Sequence, residues 1–151
     1  MNRLSFAAAA LLLAACQSMP GADQAKAGVE AATAAWGLAL ASCNLDRIMS
    51  LYDTRAVLWP TTSRTIASSP EAIRKYFEGV CSSGSGPKGI VTEQNARVYG
   101  DTAVNSGTFT INVMRDGKPT PVPLRFSFTY RRSDGQWLIV DHHSSLMPAP
   151  R

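Results

Sequence analysis

The residue types best suited to catalysis lie together near the C-terminus, in the run Asp141-His142-His143-Ser144-Ser145. This run contains the acid, base and nucleophile of a serine hydrolase. Adjacent side chains on a strand face opposite sides, so contiguous residues cannot converge on one substrate, and no strand-turn-helix elbow presents either serine. We therefore predict no triad. For His143, the candidate catalytic residue, two roles remain open: hydrogen bonding at a pocket rim, or acid-base chemistry inside a pocket.

Three cysteines offer a second kind of chemistry. Cys43 and Cys81 form an even pair once Cys16 is set aside, which favours a disulfide in an oxidising compartment. Such a bond would stabilise the fold by roughly 3–4 kcal/mol in the chain-entropy model. Two separate buried thiols are the alternative. No CxxC or HxxxH spacing accompanies them, so we predict no metal site.

Cys16 follows Leu13-Ala14-Ala15, at the end of an apolar run that begins after Arg3. The run is shorter than the roughly 20 residues that span a bilayer, so a cleaved signal is favoured over a transmembrane helix. The pattern resembles a bacterial lipoprotein signal, which implies a signal peptide over 1–15, a lipidated Cys16 and a linker over 16–24. Gln17 after the cysteine resembles the outer-membrane sorting signal of Gram-negative lipoproteins, with the domain facing the periplasm.

The remainder of the chain has the size of one domain, predicted over 25–148. Hydrophobic residues make up 45% of the chain, enough for a core, and the net charge is +4. The basic residues are scattered and do not interleave with aromatic residues, so nucleic acid is not an expected partner.

The periodicity of the chain changes after residue 87. Before it we predict helices over 25–42, 45–52 and 71–80, a short strand over 56–59, and a loop over 82–87. After it we predict strands over 89–99, 102–114, 121–132 and 137–144, joined by the tight-turn dipeptides Gly100-Asp101, Asp116-Gly117 and Asp134-Gly135. The fold class is therefore α+β, with three N-terminal helices against one face of an antiparallel sheet.

Alternation along the strands separates two faces of this sheet. Leu124, Phe126 and Phe128 point to one side, whereas Arg125 and Ser127 point to the other. The polar side carries small hydroxyl residues around Arg125. That composition suits either a lined cavity or a wet outer face.

The run from Trp137 to Pro148, with its His142-His143-Ser144-Ser145 centre, resembles the closing strand of the calcium/calmodulin-dependent kinase II association-domain family. Stand-alone bacterial members of that family belong to the NTF2-like superfamily, with SnoaL-like and ketosteroid-isomerase-like proteins. Further matches extend over 25–148 and include Trp36, Leu51-Tyr52, Ala56-Val57-Leu58, Thr61, Ser63, Tyr76-Phe77 and 125–130. Cys43 and Cys81 depart from common bacterial members.

The resemblance implies a cone, in which a strongly curved sheet wraps around the first helix and leaves a pocket at its open end. It also implies self-association through the sheet, as a homodimer or larger ring. Arg125 is the arginine that we carry over to the pocket. Export would separate the chain from any kinase or calmodulin, so calmodulin is not an expected partner.

The predicted ligand pocket combines aromatic walls with polar anchors. Its members are Trp36, Tyr52, Trp59, Thr61, Tyr76, Arg125 and His143. Arg125 would hold an anion such as a carboxylate; alternatively, the aromatic residues are core and Arg125 pairs with an internal acid. We expect a small, possibly anionic ligand and no cofactor. A SnoaL or ketosteroid-isomerase type of enzyme, or an assembly module for another envelope protein, remains the alternative.

Overall fold

The computed structural model describes residues 21–82 and 90–149. Three helices precede most of the sheet. Their bounds are Ala22–Ser42 (α1), Leu45–Met49 (α2) and Pro70–Ser82 (α3). The strands are Tyr52–Trp59 (β1), Ile90–Tyr99 (β2), Thr102–Arg115 (β3), Lys118–Ser133 (β4) and Gln136–Leu146 (β5). The predicted signal peptide, Cys16 and most of the linker lie outside the described residues.

Each helix starts and stops where local chemistry favours it. α1 buries Val29, Trp36 and Leu40 along one stripe, and it ends at Cys43 in the left-handed conformation. The side chain of Asn44 accepts a hydrogen bond from the Arg47 backbone N–H and caps α2, as predicted. α2 ends at Met49, earlier than expected. The reason is that Tyr52 leaves the helix and starts β1.

α3 begins at a serine cap followed by a proline in the first turn. The Ser69 hydroxyl accepts from the Ala72 backbone N–H at 3.2 Å, so Ser69 is the capping residue. The apolar face of the helix buries Ile73 and Phe77. That burial directs α3 against the rest of the fold.

The sheet has the strand order β1-β5-β4-β3-β2. β2 to β5 form the predicted antiparallel meander, and positive φ angles at Gly100, Asp116-Gly117 and Asp134-Gly135 close its hairpins. β1 pairs with β5 in parallel, whereas the sequence predicted an antiparallel sheet. The α+β class is confirmed.

A β-bulge bends the sheet where β2 pairs with β3. The register shifts between Val91 and Glu93, and Gly107 lies next to this bulge, opposite Gln94. A Cβ built on Gly107 would clash with the Glu93 carbonyl oxygen. Only glycine permits this close approach, so the residue helps to set the curvature of the sheet.

The core lies between α1 and the inner face of the curved sheet. Trp36 of α1 packs edge-on against Phe109 and Phe128, and Tyr130 continues the same apolar side. A small polar cluster is buried among them: Thr33 bonds with the Tyr130 hydroxyl at 2.9 Å and accepts from Asn105 at 2.7 Å. These contacts anchor α1 along the sheet.

Cys43 and Cys81 form the predicted disulfide, with Cα atoms 5.6 Å apart. The bond joins the end of α1 to the end of α3. It therefore holds the helix that forms one wall of the cone.

No helix in residues 21–82 or 90–149 is long and apolar enough to cross a membrane.

Candidate functional site

The cone contains a cavity of about 690 Å³ between α1, α3 and the inner face of the sheet. Its lining is mostly apolar, and its size suits a small organic molecule. The lining residues include Trp36, Leu40, Tyr76, Phe77, Val80, Phe109, Ile111, Val113, Val122, Leu124 and Leu146, with Thr61, Thr62, Asn112, Ser144 and His142 as polar members.

A buried hydrogen-bond chain lies at the inner end of the cavity. Trp36 Nε1 donates to the Tyr52 hydroxyl at 3.0 Å, and this hydroxyl lies 2.7 Å from Nδ1 of His142. The indole can only donate, so the Tyr52 oxygen accepts from it. The direction of the bond between Tyr52 and His142 depends on which ring nitrogen carries the proton.

Burial keeps this histidine neutral. His142 is 2% exposed, and burial lowers its pKa to about 3. Burial also raises the pKa of Tyr52 well above its usual value, so the phenol keeps its proton. The inner end of the cavity thus carries no charge at neutral pH.

The mouth of the cavity is positively charged. Lys75 of α3 and Arg115 at the end of β3 are exposed and line the cavity. No aspartate or glutamate joins them within the described part of the lining. An anionic group at the mouth would therefore meet two cations and no repelling carboxylate.

Arg125 and His143 are not in this cavity, which corrects the sequence prediction. Both lie on the outer face of the sheet, along a shallow groove with Ser127 and Ser145. Arg125 donates to the Ser145 hydroxyl at 3.4 Å. The cause is strand parity: Leu124 and Phe126 take the inner positions beside Arg125, and His142 takes the inner position beside His143.

The other predicted pocket residues divide between three places. Trp36, Thr61 and Tyr76 line the cavity as expected, and Thr61 is 2.7 Å from the Ser144 hydroxyl. Tyr52 lies behind the wall, where it bonds His142. Trp59 of β1 is 49% exposed and lies opposite His143 of β5 in the strand register, so it belongs to the outer face.

The sequence allowed an internal acid as the partner of Arg125. Such an acid is present, Asp53, but it pairs with Arg131. Asp53 accepts from Arg131 Nη2 at 2.9 Å, a contact that connects β1 with β4 across β5. The backbone N–H of Arg55 and the Arg131 guanidinium lower the pKa of Asp53. This pair ties the edge strand to the sheet and takes no part in the cavity.

Sequence reasoning missed His142, Lys75 and Arg115 as site residues. Unbroken alternation from the inward Ile139 would have placed His143 inside. The register shift beside Ile139 reverses this parity and turns His142 toward Phe128, which the sequence does not reveal. Nothing in the sequence near Lys75 or Arg115 marks these residues as part of a site. They share a site only because α3 and the β3 end meet at the mouth.

Metal binding finds no support in the described ranges, where no group of three or more histidine, cysteine, aspartate or glutamate residues could hold an ion.

Comparison with known proteins shows the family. The model of the SnoaL-like domain matches residues 29–150. A solved structure from Xanthomonas campestris, whose proposed identity is a calcium/calmodulin dependent protein kinase II association domain, is 38% identical. The match has a TM-score of 0.72 and covers 80% of this chain and 86% of that one. No curated protein matches.

More distant structures share the fold. A proposed dehydratase of the NTF2-like family from Streptomyces avermitilis has a TM-score of 0.77 at 17% identity, with 85% of this chain and 99% of that chain covered. A ketosteroid isomerase-like protein from Erwinia carotovora atroseptica has a TM-score of 0.71 at 20% identity, with coverages of 84% and 99%. With the family model matching most of the chain and the cone in place, this protein belongs to the SnoaL-like family and has an NTF2-like fold.

Proposed function

We propose that the chain binds a small amphipathic anion in the cone, with the apolar part of the ligand inside and the anionic group at the mouth. The observation that carries this proposal is the distribution of charge around the cavity. Buried aromatic and aliphatic side chains form the walls, and the charged members of the described lining are Lys75 and Arg115. Apolar burial supplies affinity, and the two cations orient the ligand.

An isomerase-type enzyme is the alternative, and the cavity gives it little support. Proton abstraction from carbon needs a base with a pKa near the working pH. The described lining contains no carboxylate, and His142 is too weak a base with its pKa lowered to about 3. Binding without turnover requires neither group.

The fluorescent anion anilinonaphthalene sulfonate tests this proposal as a probe. We expect saturable binding with a rise in dye emission, weakened about tenfold or more in a Lys75→Glu, Arg115→Glu double variant by loss of two cations. The Arg97→Glu, Arg125→Glu double variant is the matched control, since it makes the same charge change on the outer face. Equal weakening in the control, or unchanged affinity in the double variant, contradicts binding in the cone.

We further propose that the chain is exported and anchored through lipid on Cys16, in the outer membrane of a Gram-negative host. The lipobox-like Leu13-Ala14-Ala15-Cys16 and Gln17 support this placement. The Cys43–Cys81 disulfide fits an oxidising compartment. Two or more acyl chains would make the anchor stable.

Cell fractionation tests the anchor. The wild type should partition with outer membranes, and a tryptic N-terminal peptide should carry the mass of the acyl chains. Cys16→Ser should leave the protein unprocessed and without lipid. An unmodified wild-type Cys16 would refute the proposal.

Self-association through the outer face is the third element of the proposal. The centre of this face carries short side chains, including Ser106, Ser127 and Ser145, which permit close approach of a second sheet. Trp59 adds an exposed aromatic surface at its edge. The Xanthomonas relative is described as an association domain, which supports assembly as a homodimer or larger ring.

A further inference from the structure

The two ring nitrogens of His142 have different surroundings. Nδ1 lies 2.7 Å from the Tyr52 hydroxyl. Nε2 is buried and has no hydrogen-bond partner among the residues that the structure describes. His142 is one of the residues that line the cavity. A buried donor without a partner costs free energy that a ligand could recover.

The direction of the hydrogen bonds follows from Trp36. Its indole N–H is 3.0 Å from the Tyr52 oxygen and has no acceptor function. Among the described residues, Nδ1 of His142 is the acceptor within hydrogen-bond distance of the Tyr52 hydroxyl, so the single hydroxyl proton is directed to Nδ1. This arrangement leaves the proton of the neutral imidazole on Nε2.

We propose that Tyr52 and Trp36 hold His142 as its Nε2–H tautomer, so that the inner end of the cone selects ligands carrying a hydrogen-bond acceptor such as a carbonyl oxygen. Tyr52 is then a positioning residue, because it acts through His142. The inference rests on the proposed function, since it needs a ligand in the cone.

Aromatic rings surround His142. His142 makes T-shaped contacts with Phe128 and Trp36, with ring centroids 4.4 Å and 5.3 Å apart. An N–H over a ring face is a weak bond, whereas a carbonyl oxygen is a stronger acceptor. Nε2 exposes almost no surface, so an acceptor must displace part of the cavity wall to reach it.

Charge at the two ends sets the ligand orientation. His142 is neutral because burial lowers its pKa to about 3, whereas Lys75 and Arg115 line the mouth. An anionic group is therefore favoured at the mouth and an uncharged acceptor at the inner end. The ligand class is an apolar molecule with a carboxylate at one end and a carbonyl group at the other.

Nitrogen-15 NMR of the purified protein tests the tautomer directly. His143→Gln leaves a single histidine, which assigns the spectrum. We expect His142 Nδ1 to show the shift of an unprotonated nitrogen and Nε2 that of a protonated one. Tyr52→Phe should move the Nδ1 resonance or mix the tautomers, whereas Tyr76→Phe, at the cavity wall, should not. A proton on Nδ1 in the His143→Gln protein overturns the inference.

Competition against the dye tests the selection with a matched pair of probes. Para-acetylbenzoate and para-isopropenylbenzoate share a carboxylate and a planar shape, but only the first has the ketone oxygen. We expect the acetyl compound to bind about five- to tenfold tighter, as one net hydrogen bond implies, and Tyr52→Phe to reduce that ratio.

The outcomes separate the two proposals. Equal displacement by both probes, or displacement by neither, overturns the selection at His142, while saturable dye binding that depends on Lys75 and Arg115 leaves the proposed function standing. Loss of that dye dependence overturns the proposed function, whatever the tautomer.

Discussion

Single residues decide two properties of this protein: the close approach of its strands and the charge at the inner end of its cone. Gly107 permits the first, because a side chain there would meet the Glu93 carbonyl. His142 controls the second, because it is buried as a neutral ring. Both residues can be tested by conservative changes.

Gly107→Ala should destabilise the protein by about 2–4 kcal/mol or prevent folding, since the added methyl group has no space in the bulge. Gly79→Ala is the matched control. A Cβ there meets nothing within 4 Å, and alanine in a helix should stabilise by about 0.5–1 kcal/mol. Urea unfolding measures both free energies. A Gly107→Ala protein as stable as the wild type would contradict the role of this bulge.

Acid should destabilise the fold through His142. Its folded pKa of about 3 lies below the unfolded value of 6.5, so the unfolded state binds the proton first. Stability is then lost as pH falls from about 6.5 toward 3, by up to about 1.4 kcal/mol per pH unit.

Urea midpoints between pH 7 and 4.5 measure this slope. His142→Gln should remove the part of the stability loss that His142 causes, roughly 2–3 kcal/mol over that range. His143→Gln, on the outer face, should retain it. The difference between variants isolates the histidine from the acids that titrate in the same range. An identical loss of slope in both variants would argue against the buried placement of His142.

Among the secondary-structure elements, α3 forms a wall of the cavity and is held in place by the disulfide. Its C-terminal end is bonded to the end of α1 through Cys81 and Cys43, 38 residues apart in sequence. Lys75, Tyr76 and Phe77 of the same helix line the cavity. Loosening this helix should therefore affect stability and binding together.

Reduction of the disulfide should lower the free energy of unfolding by about 3–4 kcal/mol, because the unfolded chain regains the entropy of an open loop. Dye affinity should fall as well. Unfolding curves with and without reductant measure the change, and a Cys43→Ser, Cys81→Ser double variant should match the reduced wild type and ignore reductant. A wild type insensitive to reductant would show that the bond does not support the wall.

For the whole molecule, the proposed assembly rests on the outer face. Ser127 lies at the centre of that face, opposite Ser106 and next to His143 in the register of the sheet. We predict that Ser127→Arg converts the wild-type oligomer to a monomer, because a long, charged side chain at this position prevents the two sheets from packing face to face.

Light scattering on a sizing column measures this mass. Gln136→Arg makes the same charge change at the exposed start of β5 and should leave the assembly intact. A wild-type monomer, or an unchanged oligomer in Ser127→Arg, would exclude this face as the interface.

Local signals in the sequence were sufficient for most of the elements. Asn44 and the serine-proline start of α3 mark helix ends by hydrogen bonding within one turn, and Asp116-Gly117 closes a hairpin by its backbone preference. These effects act over a few residues, so the chain alone reveals them. The disulfide was also accessible, since the two cysteines that remain once Cys16 is set aside allow one pairing.

The sequence by itself determined the α+β class, the two chemically distinct sheet faces and the family resemblance. Only the tertiary structure decided which face encloses the cavity, and so moved Arg125 and His143 outside and His142 inside. It also brought Lys75 and Arg115 to one mouth and paired β1 with β5 in parallel. The physical reason is that alternation sorts side chains into two sets, whereas helix packing and long-range strand pairing choose the set that is buried.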